Sequence, residues 1–388
     1  MNCKGLVLIT DSSPGLNSST SRELLDLVTE LEKNSIPIFL IHPSFNYFDK
    51  YSKKSKSITC RPIFYKSESH VLRLISEIHI ATVFSLKIFL FQKCLKNKNI
   101  LYISPSALCV FPALLIKKLN NGSIYLMLRD LFPFWMIDAG ILSPKGIAVL
   151  ILKKIADLQM ATADRIGVES KKSKTIFLKR YPQYQKKTEV LNNWMTSKSV
   201  SKYSPKKKKV KFVYAGNVGK AQGIELFKAL LNHLKDNEQV EVHLFGRGCL
   251  VNEMKNFSAN YSIFNFHLHS IVLSKEFDDY LREFDIGLFF LRTDLKASNI
   301  PGKFISYVMN GLPVLGSVNS DNELVSLVKE NNLGYIDSSG ETAKFLNMAD
   351  KIISEVSSGN FSPCDIQMRA SQFFDTQKAA EQLTNLEW

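Results

Sequence analysis

The chain has no C-x-x-C pair, no uncharged run that reads as a membrane span and no leader-like N-terminus. Its six cysteines, Cys3, Cys60, Cys94, Cys109, Cys249 and Cys364, are scattered. Neither a disulfide framework nor a zinc site is therefore indicated, and a reducing cytoplasm fits best. The apolar run that opens the chain is closed by Asp11, too short for a signal peptide, and reads as a first strand. The longest uncharged stretch, Asn99 to Ile116, is interrupted by Ser104, Pro105, Ser106 and Pro112, which suits a strand, a loop and a helix. Also missing is any helix-turn-helix, finger or RNA-binding-sheet signature, so no nucleic-acid partner is expected.

What is present is a globular chain: 388 residues with 45% hydrophobic content, enough for two or three domains with packed cores. Charge is unevenly placed. Residues 1–209 hold 34 Lys and Arg against 14 Asp and Glu, a net +20, and residues 210–388 hold 16 against 22, a net −6, which together give the formal +14 of the whole chain. A basic first half suits an anionic membrane surface, to which each nearby Lys or Arg adds on the order of 1 kcal/mol; a generally lysine-rich composition is the plainer explanation.

The first half opens with a strand at Leu6–Thr10, a polar loop carrying Gly15, a helix from Arg22 to Glu32 and a strand at Ile36–Ile41, a β-loop-α-β start. Residues 70–98 are strongly apolar with interspersed Lys and Arg; one or two helices here would dock on a membrane interface or pack inside the domain. Ile124–Leu128 reads as a buried strand running into LRDLFPFWMIDAGIL. Arg129 and Asp130, followed by Pro133 and Trp135, place charge beside an aromatic wall at a strand's carboxyl end, where open α/β sheets bind ligands. The alternative is a buried ion pair bracing the loop. A helix from Pro144 to Gln159, a strand ending at Ser170, a basic helix and the strand VLNNWM follow. Residues 196–209, TSKSVSKYSPKKKK, are polar without apolar period and read as an interdomain linker.

The second half restarts with the strand VKFVYAG, a glycine-containing loop NVGKAQG and a helix from Ile224 to Lys235, a Rossmann-like strand, phosphate loop and helix without dinucleotide glycine spacing. The strand VEVHLFG ends in Gly246-Arg247-Gly248, a second close backbone approach beside a cation. His267 and His269 alternate on a strand; with no acidic or cysteine partner nearby in sequence they read as strand residues. FDIGLFFL, residues 284–291, is the most buried strand pattern in the chain.

The stretch around which the rest is arranged is SNIPGKFISYVMNGLPVLG, residues 298–316. Ser298 or Asn299 caps a helix with Pro301 at its first position. Phe304 with Val308 and Ile305 with Met309 make an apolar face, and Asn310-Gly311 ends the helix before a short buried strand, Leu312–Leu315. Gly302 lets a ligand approach the backbone. Lys303 stands where the helix dipole disfavours a cation, so a bound anion would explain it. An ordinary capped helix with a solvated lysine is the alternative.

The Pro-x-Lys helix start, Tyr307-Val308-Met309 and Gly311-Leu312-Pro313-Val314 resemble the nucleotide-sugar motif of the family-4 (group 1) retaining glycosyltransferases, closest to the bacterial O-antigen and capsule L-fucosamine transferases. The resemblance spans nearly the whole chain. It implies an α/β GT-B fold: two Rossmann-like domains whose parallel sheets face across a cleft, at 1–195 and 210–367, a linker at 196–209, and a C-terminal helix at 368–388 crossing back to the first domain. It further implies transfer of a sugar, with retention, from a nucleotide-diphosphate donor such as UDP-N-acetyl-L-fucosamine to a lipid-linked saccharide, on the inner face of the plasma membrane.

On this resemblance Gly15, Gly216, Asn217, Gly219, Gln222, Arg247, Ser298, Pro301, Gly302, Lys303, Ser306 and Glu323 line the donor. Lys220 serves the diphosphate, Arg129 and Asp130 the chemistry, and Trp135 and Asp138 the acceptor. The family's two motif glutamates are here Ser298 and Ser306, which hydrogen-bond without charge and with shorter reach. Gln222 stands where a second lysine is common. That departure motivates a second reading, a non-catalytic subunit of a polysaccharide assembly; a nucleotide-sugar epimerase is a third. No Asp-x-Asp pair occurs, so metal-bound diphosphate chemistry is not expected and no metal cofactor is assigned anywhere in the chain. Fixed cations and helix starts would hold the leaving group instead.

Overall fold

In the computed structural model the described residues are 5–12, 19–44, 56–64, 70–104, 106–120, 122–138, 142–143, 145–200, 209–270, 274–294 and 299–385, without the side chains of 70, 135, 138, 148 and 274–276. The chain forms two compact units, Met1–Asn192 with Thr376–Trp388, and Asn193–Asp375. Each is built on one parallel sheet.

The first unit's strands are β1 (Leu6–Thr10), β2 (Ile38–Pro43), β3 (Lys56–Cys60), β4 (Asn99–Ile103), β5 (Ile124–Leu128), β6 (Arg165–Val168) and β7 (Thr188–Val190), in the order β3-β2-β1-β4-β5-β6-β7. Its helices are α1 (Ser19–Lys33), α2 (His70–Leu95), α3 (Val110–Asn120), α4 (Phe134–Asp138), α5 (Ile147–Thr162) and α6 (Lys171–Arg180). All residues of β1 and β5 are buried, as expected of strands covered on both faces.

The stretch 70–98 forms a single helix, α2. Ile80, Phe84, Ile88 and Leu95 are buried in the core at helical spacing. The rest of its apolar surface, Ile78, Leu86, Phe89 and Leu90 among it, is exposed. Among the described residues this helix, at Val71–Leu95, is long and apolar enough by length and composition to cross a membrane, and 28% of its most apolar stretch is buried. It packs on α3, and α3 on α5, whose Ile147 and Ile151 are also exposed.

The second unit carries β8 (Val210–Asn217), α7 (Ile224–Leu234), β9 (Val240–Arg247), α8 (Val251–Asn260), β10 (Phe266–His269), α9 (Ser274–Leu281), β11 (Ile286–Phe290), α10 (Gly302–Met309), β12 (Val314–Ser317), α11 (Leu324–Glu330), β13 (Gly334–Asp337), α12 (Thr342–Ser357) and α13 (Pro363–Phe374). Strand order is β10-β9-β8-β11-β12-β13. The order reverses between β8 and β11, the switch point at which open parallel sheets leave a crevice at their carboxyl ends. Helix α10 seats on this sheet through Tyr307. A Cβ on Gly287 of β11 would stand 2.3 Å from the Tyr307 ring, so the glycine makes room for it, and the Tyr307 hydroxyl accepts a hydrogen bond from the Ala215 N–H at 2.7 Å.

Two expectations on boundaries change. The segment that belongs to the first unit at the C-terminal end begins at Thr376 rather than 368, because α13 packs on α10; the following helix, α14 (Thr376–Thr384), packs on α1. Gln382 Nε2 donates to the Glu189 carboxylate and to the Val190 carbonyl, at 3.1 and 2.9 Å. The described part of the linker is not free either. Gln367 bonds Ser197 and Lys198, and Lys198 pairs with Asp279 at 2.7 Å; just before the linker, Met195 N–H donates to Phe374 O at 2.9 Å. The side-chain amide of Gln367 on α13 captures polar residues that sequence leaves without partners; residues 201–208 lie outside the described residues.

Candidate functional site

Helix α10 begins at Gly302 with Pro301 as its N-cap, and no side chain caps it. The expected cap by Asn299 is therefore absent, since the helix starts three residues beyond it; Ser298 lies outside the described residues. Asn299 instead receives Asn322 Nδ2 on its carbonyl at 3.4 Å, which ties the loop after β12 to the helix approach. Amide groups at an uncapped helix start, with the positive dipole end behind them, favour an anion.

Lys303 turns from this helix start onto the end of β8. Its Nζ lies 2.8 Å from the Tyr214 hydroxyl and 4.0 Å from the ring centroid, and the Tyr214 hydroxyl donates to Asn217 O at 2.7 Å. Tyr214 is fixed by stacking on Phe227 and Phe290, with centroids 5.3 and 6.1 Å away. Surrounding protein disfavours the ammonium and lowers the Lys303 pKa to about 7, although the side chain still meets solvent. Gly216 has φ of +121°, and a Cβ there would sit 3.7 Å from Lys303 Cε. The lysine thus lies over the turn that starts the β8–α7 loop.

That loop carries Lys220, which is exposed. Gln222 serves the loop itself: its Oε1 accepts from Gly219 N–H at 2.9 Å and from Asn217 Nδ2 at 3.3 Å. The neighbouring strand ends in register, Gly216 opposite Gly246 and Asn217 opposite Arg247, and Val218 N–H donates to Arg247 O. Arg247 is exposed beside the loop. Past β11, Arg292 N–H donates to Ala221 O at 3.0 Å and its guanidinium holds Asp294. Pro301, Gly302, Lys303, Gly216, Asn217, Gly219, Lys220, Gln222 and Arg247 therefore gather at the carboxyl ends of β8, β9 and β11. Ser306 lies one turn along α10, half-buried. Glu323 is the N-cap residue of α11, with helical backbone angles.

In the first unit, Arg129 and Asp130 follow β5 as expected. Arg129 forms a close ion pair with Glu23 of α1, both nearly buried; burial pushes the Glu23 pKa up against the pull of Arg129. A buried ion pair at this loop is the kind of contact that the sequence left as an alternative, here with Glu23 as the partner. Asp130 is the more open of the two, and neighbouring protein raises its pKa while Arg129 and Arg73 oppose. Trp135 and Asp138 sit on α4, with side chains outside the described residues, as is Gly15 altogether.

His267 and His269 lie on β10, the strand residues expected. Their surroundings differ in one respect, since an acidic side chain is near: Glu241 lies 3.5 Å from His243, which stands opposite His267 in register. The signal was the alternation of Glu241 and His243 in VEVHLFG. Tyr214 and Asn322 were missed because their partners, Lys303 and Asn299, are distant in sequence; Tyr307 stood in the motif, but its bond to Ala215 was not legible.

No family model matches the chain. The probable glycosyltransferase WbjE of Pseudomonas aeruginosa is 22% identical over 320 residues, 79% of each protein. WaaG, a glycosyltransferase involved in lipopolysaccharide biosynthesis, superposes with a TM-score of 0.68 at 11% identity, over 98% of this chain and 100% of that one. Anabaena HepE in complex with UDP-glucose superposes at 0.65 with 14% identity, over 98% and 100%. The fold is the two-domain α/β fold of the GT-B glycosyltransferases.

Proposed function

We propose that the protein is a glycosyltransferase that moves a sugar from a nucleotide-diphosphate donor to a lipid-linked saccharide in the synthesis of a bacterial surface polysaccharide. The observation that carries this reading is Lys303, drawn from an uncapped helix start over the Gly216–Asn217 turn at the switch point of the second sheet. Donor phosphates would bind there, between Lys303 and the exposed Lys220, with Arg247 beside them; these cations offset the charge on the departing diphosphate. WbjE is a probable glycosyltransferase, WaaG is a glycosyltransferase and HepE forms a complex with UDP-glucose, which supports a nucleotide sugar. Retention of configuration, metal independence at the diphosphate and an L-fucosamine-type donor rest on the motif resemblance. Asp130, whose pKa the neighbouring protein raises above the usual carboxylate range, would accept a hydrogen bond from the attacking hydroxyl.

The test is transfer of radiolabelled sugar to lipid acceptor extracted from host membranes. Wild type is expected to give labelled lipid, and a Lys220→Ala, Lys303→Ala double variant at least about 100-fold less, two charge-assisted contacts being lost. Equal background from both, with the donor shown to bind wild type, would establish the non-catalytic reading prompted by Ser298 and Ser306.

The exposed apolar side of α2 and α5 fits a peripheral membrane position. Co-sedimentation with vesicles is expected to rise with anionic lipid and fall with salt. A Phe89→Glu, Leu90→Glu variant should lose at least about tenfold in binding, a large apolar side chain being worth ~1.5–3 kcal/mol when fully buried. Binding indifferent to lipid charge, salt and these substitutions would reject that position.

A further inference from the structure

We propose that Glu241, His243 and His267 hold one divalent transition-metal ion of the zinc class across β9 and β10, with His269 orienting His243. Glu241 and His243 are two apart on β9 and share a face, and His267 stands opposite His243 in parallel register. One ligand atom from each lies within 4.8 Å of the others, a spacing that side-chain rotation closes to metal–ligand distances.

The three-residue geometry carries the proposal, and the tautomer of His243 is consistent with it. His243 Nδ1 and His269 Nε2 are 2.9 Å apart, so one proton lies between them. With that proton on His269 Nε2, His243 Nε2–H faces the Glu241 carboxylate 3.5 Å away, a contact too long and poorly directed for a hydrogen bond. With it on His243 Nδ1, the buried Nε2 lone pair faces that carboxylate, an arrangement that a metal ion between them satisfies. An imidazole that binds metal through one nitrogen and donates from the other is the usual arrangement of metal-site histidines.

The surroundings favour neutral ligands. Phe284 meets the His243 ring edge to face at 5.1 Å and Phe245 stacks on His269 at 4.3 Å. Lys209 holds Glu241 Oε1 at 3.0 Å and Lys211 lies 3.7 Å from Oε2. One carboxylate shared with two lysines is poor for calcium or magnesium, whereas two imidazoles suit zinc. His243 is four residues from Arg247, about 13 Å along the strand. The ion therefore clips the sheet edge and takes no part in the transfer step.

The experiment uses untagged full-length Cys249→Ser protein, which lacks that exposed thiol, stripped with chelator and then titrated with Co²⁺ and Zn²⁺. One Zn²⁺ per chain should survive gel filtration, Co²⁺ should give the visible absorption of a low-coordinate site, and Zn²⁺ should raise the melting temperature. His267→Ala and Glu241→Gln should each weaken binding at least about tenfold, and His269→Ala by roughly 10–100-fold. His233→Ala, whose ring pairs with Asp350, should change nothing, with circular dichroism confirming folding throughout. Absence of stoichiometric metal, or affinity unchanged in both His267→Ala and Glu241→Gln, overturns the proposal.

Discussion

Replacing Lys303 by methionine is expected to weaken binding of a nucleoside diphosphate about 10- to 100-fold while leaving the bare nucleoside within about twofold. Methionine keeps an apolar stem against the Tyr214 ring and removes only the charge. A charge-assisted hydrogen bond is worth ~1.5–3 kcal/mol, which is that range of affinity. The ammonium has a second signature. Its pKa is lowered to about 7 by the protein around it, so above neutrality the empty site holds mostly the amine. A diphosphate binds the ammonium better and draws a proton in. Affinity should therefore fall as pH rises from 7.5 to 9, approaching tenfold per unit, with proton uptake seen as a buffer-dependent binding enthalpy. Both effects should vanish in Lys303→Met. Calorimetry giving equal losses for diphosphate and nucleoside, or no proton uptake in wild type, would place the phosphates elsewhere.

The second large effect concerns Arg129. Its ion pair with Glu23 is nearly buried, and removing one partner takes from the other the charge that most offsets its burial, at a cost of up to ~3–5 kcal/mol. Arg129→Ala should thus destabilise the first unit by about that amount, read unit by unit from amide exchange in α1 and β5. Glu23→Leu with Arg129→Met should restore stability to within ~1 kcal/mol of wild type, because no unpaired charge remains. Transfer activity separates the roles: if the paired variant is stable and active, Arg129 braces; if it is stable and inactive, Arg129 acts on substrate.

What could be read from the sequence follows the range of the interactions. Strand β11 was visible in FDIGLFFL because a strand buried on both faces needs an unbroken apolar run. Helix α10 was visible because Phe304, Ile305, Val308 and Met309 repeat at helical spacing, all four buried in the fold. Its start was misplaced at the cap, since residues 298–301 offer several acceptors and only packing selects among them. The Glu23–Arg129 pair joins residues 106 positions apart, and nothing local marks Glu23 as other than a helix-surface acid. Gln222 reads as a ligand contact in the sequence, and its Oε1 also serves the loop that it belongs to, a bond that nothing local signals.

The order of synthesis meets an asymmetry in this architecture. The second unit is one uninterrupted stretch, Asn193–Asp375, whereas the first is closed by Thr376–Trp388. Glu189 at the edge of the first sheet accepts from both Tyr125 and Gln382, so that edge waits for a segment made after the whole of the second unit. The half that is made first is finished last: its β7 edge stays uncovered while the later half can already fold. A premature stop after residue 375 would spare the unit nearest the lesion and damage the one farthest from it in sequence.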